Sequence, residues 1–169
     1  MDSPKTTSVE ILAYLIDALA LIKDLNLSEG KKLIDTVFLL KKVLDDFESN
    51  STTLFKGLVV DRENTWDLIK GNQYGPGLAL WSSISDISSK NKSLKWLCDD
   101  IHLSDIDFEN QDIRKTLRSL INHFSKLNLS DLHLSSPIEL GIAYEDFSTH
   151  LSISSGGNYD LSDETPQTI

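Results

Sequence analysis

Between Val9 and Leu25 apolar residues fill nearly every position, interrupted by the acids Glu10, Asp17 and Asp24 at seven-residue intervals. At 3.6 residues per turn those acids fall on one narrow stripe of a helix, and nearly every other direction around it is apolar. Such a helix has to be enclosed, whether by the rest of the chain, by a second copy or by a different protein. A membrane span needs about 20 apolar residues. Asp17 stands at the midpoint of this run and Lys23 and Asp24 close it early, so the pattern predicts a buried helix of a soluble protein rather than a span. The opening Met1-Asp2-Ser3-Pro4-Lys5 lacks a basic region, and no secretory leader is expected.

Further on, Leu33, Val37, Leu40, Leu44 and Phe47 step by four, three, four and three residues. That is the seam of a second helix, broadened by Ile34, Phe38 and Leu39 beyond a coiled coil. Lys31, Lys32, Lys41, Lys42, Asp45 and Asp46 occupy its other directions and are expected in solvent. Asn26 to Gly30 joins the two helices as a hairpin.

The middle of the chain predicts shorter pieces. Thr52 to Val60 and Glu63 to Lys70 each suit a short helix, the second ended by Gly71, and the run Gly71 to Gly77 reads as a loop. Leu78 to Ser88 follows as a helix burying Leu80, Trp81, Ile84 and Ile87, and Ser93 is the expected cap of Leu94 to Ile101. From Gln111 to Ser125, Ile113, Leu117, Leu120, Ile121 and Phe124 share one face and Arg114, Lys115 and Arg118 another. Pro137 to Phe147 makes the last helix. Ser28, Ser104 and Ser130, each beside an acid, read as N-caps, as does Ser136 in Ser136-Pro137-Ile138-Glu139. After Ser148 the composition turns to Ser, Thr, Gly and Asp, and Thr149 to Ile153 alternates as a strand would if a sheet edge were present.

These elements predict an all-α, compact bundle of about six to eight helices with a flexible or extended polar C-terminal tail. Residues 1–8 form an extension, 9–147 a single helical domain and 148–169 the tail.

Over 169 residues the net charge is −10, and only Arg62, Arg114 and Arg118 are arginines, which argues against a nucleic-acid ligand. The acidic surface suits a soluble protein, or one whose partner is basic, and simple solubility is the default. Cys98 is the single cysteine, so no internal disulfide forms and a reducing, cytoplasmic setting is expected.

No phosphate-binding glycine motif, zinc signature, calcium loop or nucleophile elbow is present, and no cofactor or metal is expected. Cys98 and His102 would share a helix face, but two ligands do not make a zinc site. Asp99, Asp100 and Asp105, with Asp107 and Glu109, make an acidic patch suited to an electrostatic interface. Trp66, Tyr74 and Trp81 bracket the glycine-rich loop, and such aromatics are enriched at binding hot spots. Core packing is the default for the two tryptophans, and Tyr74 is the better contact candidate.

Leu40-Lys41-Lys42-Val43-Leu44-Asp45-Asp46-Phe47 looks like a BH3 segment, with Leu44 where that motif has a small residue. Gly71-Asn72-Gln73-Tyr74-Gly75-Pro76-Gly77-Leu78-Ala79-Leu80-Trp81 has something of a BH1 motif, with Pro76 at the place of its arginine. Through these segments the chain is loosely similar to the Bcl-2-like apoptosis regulators, including divergent viral ones. The resemblance implies a groove that captures amphipathic BH3-type helices.

The leading expectation is a non-enzymatic helical interaction module that binds a partner protein, basic or helical in character, or copies of itself. A Bcl-2-like regulator is the alternative. A small enzyme with its site near the glycine-rich loop is a second.

Overall fold

The longest helix is also the most enclosed. A computed structural model describes residues 4–49, 59–61, 64–72, 75–95 and 106–154. Among them the fold is all-α, with six helices: α1 (Ser8–Leu21), α2 (Leu27–Glu48), α3 (Trp66–Lys70), α4 (Pro76–Lys90), α5 (Gln111–Phe124) and α6 (Glu139–Ser154). A single 3-10 turn, Lys92–Leu94, follows α4. No helix of the described residues is long and apolar enough to cross a membrane. The expected helix Thr52 to Val60, the remainder of Leu94 to Ile101 and the Ser104 cap fall largely outside the described residues.

Around α2 the core assembles. Leu33, Ile34, Val37, Phe38, Leu40, Val43 and Leu44 are all buried, and Phe38 meets Phe124 of α5 edge-on at 5.7 Å and Tyr144 of α6 at 6.0 Å. So α2, rather than the first helix, is the element the chain encloses. Its cap is Asn26, whose side chain accepts from the Glu29 N–H at 2.8 Å, and not Ser28, which lies inside the helix. Gly30 allows the tight turn from α1, because a Cβ there would lie 2.6 Å from Ile22 Cδ1.

Lys41, Lys42 and Asp46 are buried and Asp45 half-buried, against the expectation of a solvated face. The reason is that α3 and the segment 127–134 cover that side of α2. Lys42 Nζ lies 2.8 Å from Asp46 Oδ2 and 2.6 Å from Asp131 Oδ1. Lys41 Nζ lies 2.6 Å from Asp45 and 5.2 Å from the Trp66 ring centroid, a cation–π distance. The backbone N–H groups of Leu129 and Asp131 donate to Asp45 and Asp46 at 2.7 and 2.8 Å. Ser130 therefore caps no helix. It sits in a turn in which its carbonyl accepts from the N–H groups of His133 and Leu134, and α2 carboxylates hold that turn. Burial pushes the Asp45 and Asp46 carboxyls above the usual carboxylate range, and the neighbouring lysines offset this only in part.

The chain start is fastened to a distant segment. Thr6 N–H donates to the His133 carbonyl at 2.8 Å and the Thr6 carbonyl accepts from Ser135 N–H at 2.9 Å, an isolated parallel bridge. Thr7 caps α1 through the Glu10 N–H at 3.3 Å. The Ser8 N–H, one of the unpaired donors of the first turn, donates to Glu139 Oε1 at 3.0 Å. Ser135 and Ser136 donate to the same carboxylate at 2.9 and 3.5 Å, so Glu139, which begins α6 two residues after the expected Pro137, caps α1, and Ser136 is bonded to its side chain instead of to a helix N–H. The Ser8 N–H, first among these donors, holds the Glu139 carboxyl below its ordinary range.

α6 continues to Ser154, so Thr149 to Ile153 is helical and not a strand. No strand edge exists among the described residues to receive it, and Leu151 extends the buried row of Ala143 and Phe147 at helical spacing. At the other end of the fold, α4 starts at Pro76, ahead of the expected Leu78. Gly75 supplies the positive φ of 112° before it, and Gly77 lets the helix approach Leu117, where a Cβ would lie 3.2 Å from Cδ1.

Candidate interaction surface

Trp66 is part of the core and offers nothing to a partner. It is buried, its Nε1–H donates to Ser125 Oγ at 2.9 Å, and its backbone N–H donates to Glu48 at 3.4 Å. Trp81 is half-buried with its ring 6.2 Å from that of Phe108. Tyr74, Asp99, Asp100 and Asp105 lie outside the described residues, as do Cys98 and His102.

Near those aromatics Leu68 and Leu78 are exposed on either side of a hollow of about 280 Å³, lined also by Asn64, Asn72, Ala79, Ser82 and Ser83. Its buried polar group, Asn64, donates to Asp86 at 2.7 Å and accepts from Ser83 Oγ at 2.9 Å. These groups serve one another, and among the described residues no pair of titratable groups lines the hollow as acid–base chemistry requires. Among the described residues no group of three or more His, Cys, Asp or Glu is placed to hold a metal ion.

A second exposed apolar region lies where α1 packs on α6, its most extensive helix contact. Ile11, Leu15 and Ala18 of α1 are buried, but the opposite row, Val9, Ala13, Ile16 and Ala20, faces outward. Val9 is 76% exposed, Ala13 and Ala20 are exposed, and Ile16 is half-buried. Glu139, bonded to Ser8, marks the edge of α6 toward α1, and Tyr144, packed on Phe38 and 3.3 Å from Lys31 Nζ, marks the edge toward α2. By helical spacing Ile142, Asp146 and Ile153 then lie on the α1 side. Ile142 is 38% and Ile153 74% exposed, which gives the two neighbouring helices a shared apolar outer face. Exposed acids accompany it: Glu10 and Asp17 on α1 and Glu145 on α6 along its flanks, and Asp146 between the two helices.

The sequence shows that α1 is apolar almost all round; its preferred contact candidates, Tyr74 and the acids Asp99, Asp100 and Asp105, lie outside the described residues, and core packing, the default for the two tryptophans, holds for Trp66. The spacing of Val9, Ala13, Ile16 and Ala20 was the available signal. It did not decide which of the two apolar rows the chain would cover, because both have helical spacing.

In the segment that looks like BH3, Leu40, Val43, Leu44 and Asp46 are all buried in contacts within the fold. No protein-family model matches the chain, and no curated protein matches it by sequence.

Proposed function

We propose that this protein is a non-enzymatic helical interaction module that works through the outer face of α1 and α6. The observation that carries the reading is the second apolar row of α1: Val9, Ala13 and Ala20 remain exposed although the opposite row is fully packed. Contiguous exposed apolar surface on a folded chain, rimmed by charge, is the usual mark of a protein contact. In the hollow beside Leu78, Asn64 and Ser83 are already hydrogen-bonded within the fold.

The test replaces Val9, Ile16 and Ile153 with serine and compares the triple variant with the parent. Light scattering would report self-association, and crosslinking in the native cell would report partners. The variant is expected to keep its helical circular dichroism and lose the assemblies that the parent forms. Identical assemblies in both proteins would refute the reading.

A further inference from the structure

The charge pattern of the α1–α6 face narrows what covers it, provided that this face is the binding surface as read above. Neither helix contains a lysine or an arginine. Glu10 and Asp17 run along the outer side of the α1 row, Glu145 lies beyond Ile142 and Ile153 on the other flank, and Asp146 lies between that pair and α1, all exposed. Lys5, whose Nζ lies 2.5 Å from the Leu132 carbonyl, and Lys23 stand beyond the two ends of α1, and Lys31 meets α6 at Tyr144 on the edge toward α2. A partner seated on the row therefore meets carboxylates on both flanks.

That pattern disfavours the occupants closest to hand. A second copy would set these carboxylates against their own counterparts, and like charges across an interface act against association. The chain's own residues 155–169 contain Asp160, Asp163 and Glu164 and no basic residue, so they too would meet like charge. An anionic lipid surface is repelled for the same reason. The shape favours a helix, because α1 and α6 lie side by side and the small side chains of Ala13 and Ala20 allow a third helix to approach closely.

We propose that the occupant is an amphipathic helix of a different protein, apolar along one side and flanked by lysine or arginine. Its apolar side chains would rest on Val9, Ile16, Ile142 and Ile153, and its basic side chains would face Asp17 and Glu145 on the flanks and Asp146 between the two helices. Helix-in-groove recognition of this kind is read through side chains three and four residues apart.

The experiment titrates the full chain against two labelled synthetic helical peptides of about 18 residues. They share one apolar row, flanked by lysine in one and by glutamate in the other. Fluorescence anisotropy is expected to show the lysine-flanked peptide binding at least about tenfold more tightly, with the advantage shrinking as salt is added. Val9→Ser with Ile142→Ser should weaken that binding by about tenfold or more, as should Ala13→Gln, which adds bulk at an exposed helical position. Asp17→Asn with Asp146→Asn should narrow the difference between the peptides, and Leu78→Ser should change nothing. Equal binding of both peptides would overturn the proposal, as would a lysine-flanked peptide indifferent to the serine and glutamine substitutions. A dimer dissolved by those same substitutions would overturn it in favour of a second copy while leaving the interaction reading intact. If neither peptide binds and the substitutions alter no assembly, the reading of the face itself falls.

Discussion

Lys42 occupies a position that a lysine reaches only with partners. Its ammonium lies between Asp46 and Asp131, and removing it would leave two carboxylates facing each other out of solvent. Breaking one member of such a buried group costs about 3–5 kcal/mol, so Lys42→Met should lower the urea midpoint severely. Replacing Lys42 and Asp46 together, by Met and Leu, should recover part of that loss. The same cluster fixes a sign for pH dependence. Because the Asp45 and Asp46 carboxyls titrate higher in the folded chain than in the unfolded one, they favour folding below the ordinary carboxylate range. That stability is lost as pH rises through their raised values. Glu139 works the other way. Its depressed carboxyl contributes stability above the ordinary range that is lost as pH falls through its folded value. Urea midpoints measured across the acid range should show Asp46→Asn removing a component that favours acid and Glu139→Gln removing one that favours neutrality. None of this was legible residue by residue. Lys41-Lys42 followed four positions later by Asp45-Asp46 has the spacing of a solvated helix face, and only the cover supplied by the distant turn 127–134 makes it interior.

Helices were legible where apolar spacing was long and one-sided. In α5 the row Ile113, Leu117, Leu120, Ile121 and Phe124 is buried as its spacing predicts, and in α2 the seam from Leu33 to Leu44 is likewise buried. Their limits were less so, because ends are set by a single side chain or backbone angle. Asn26, Thr7 and Asn110 cap where serines or nothing had been expected, and each has an oxygen able to reach a free N–H. The extension of α6 past Phe147 depends on Leu151 finding the core, which no local propensity states. The turn between α1 and α2 gives a direct test. Gly30→Ala places a methyl group 2.6 Å from Ile22 Cδ1 and should destabilise the fold by about 1–3 kcal/mol. Asn26→Ala should cost about 1 kcal/mol through the lost cap. Chemical denaturation of the two variants would rank them, and the reverse order would mean that the turn relaxes around the added methyl.

For the whole molecule, fold class followed from pattern alone, since 3.6-residue periodicity runs through every long element. The surface did not. Aromatic type drew attention to Trp66 and Trp81, but Trp66 lies beneath Lys41, Ser125 and Glu48, and burial of that kind arises only when separate parts of the chain converge. The exposed row of α1 was visible as composition and became a surface only once the packed row was known. The fastening of α1 also has a temporal side. Ser8 meets Glu139 across 131 positions, so a ribosome delivers the first helix long before its seat has been made. Until α6 emerges, that helix has only α2 and α5 to lie against, and a chain truncated ahead of Glu139 should leave part of its inner row bare as well as the outer one.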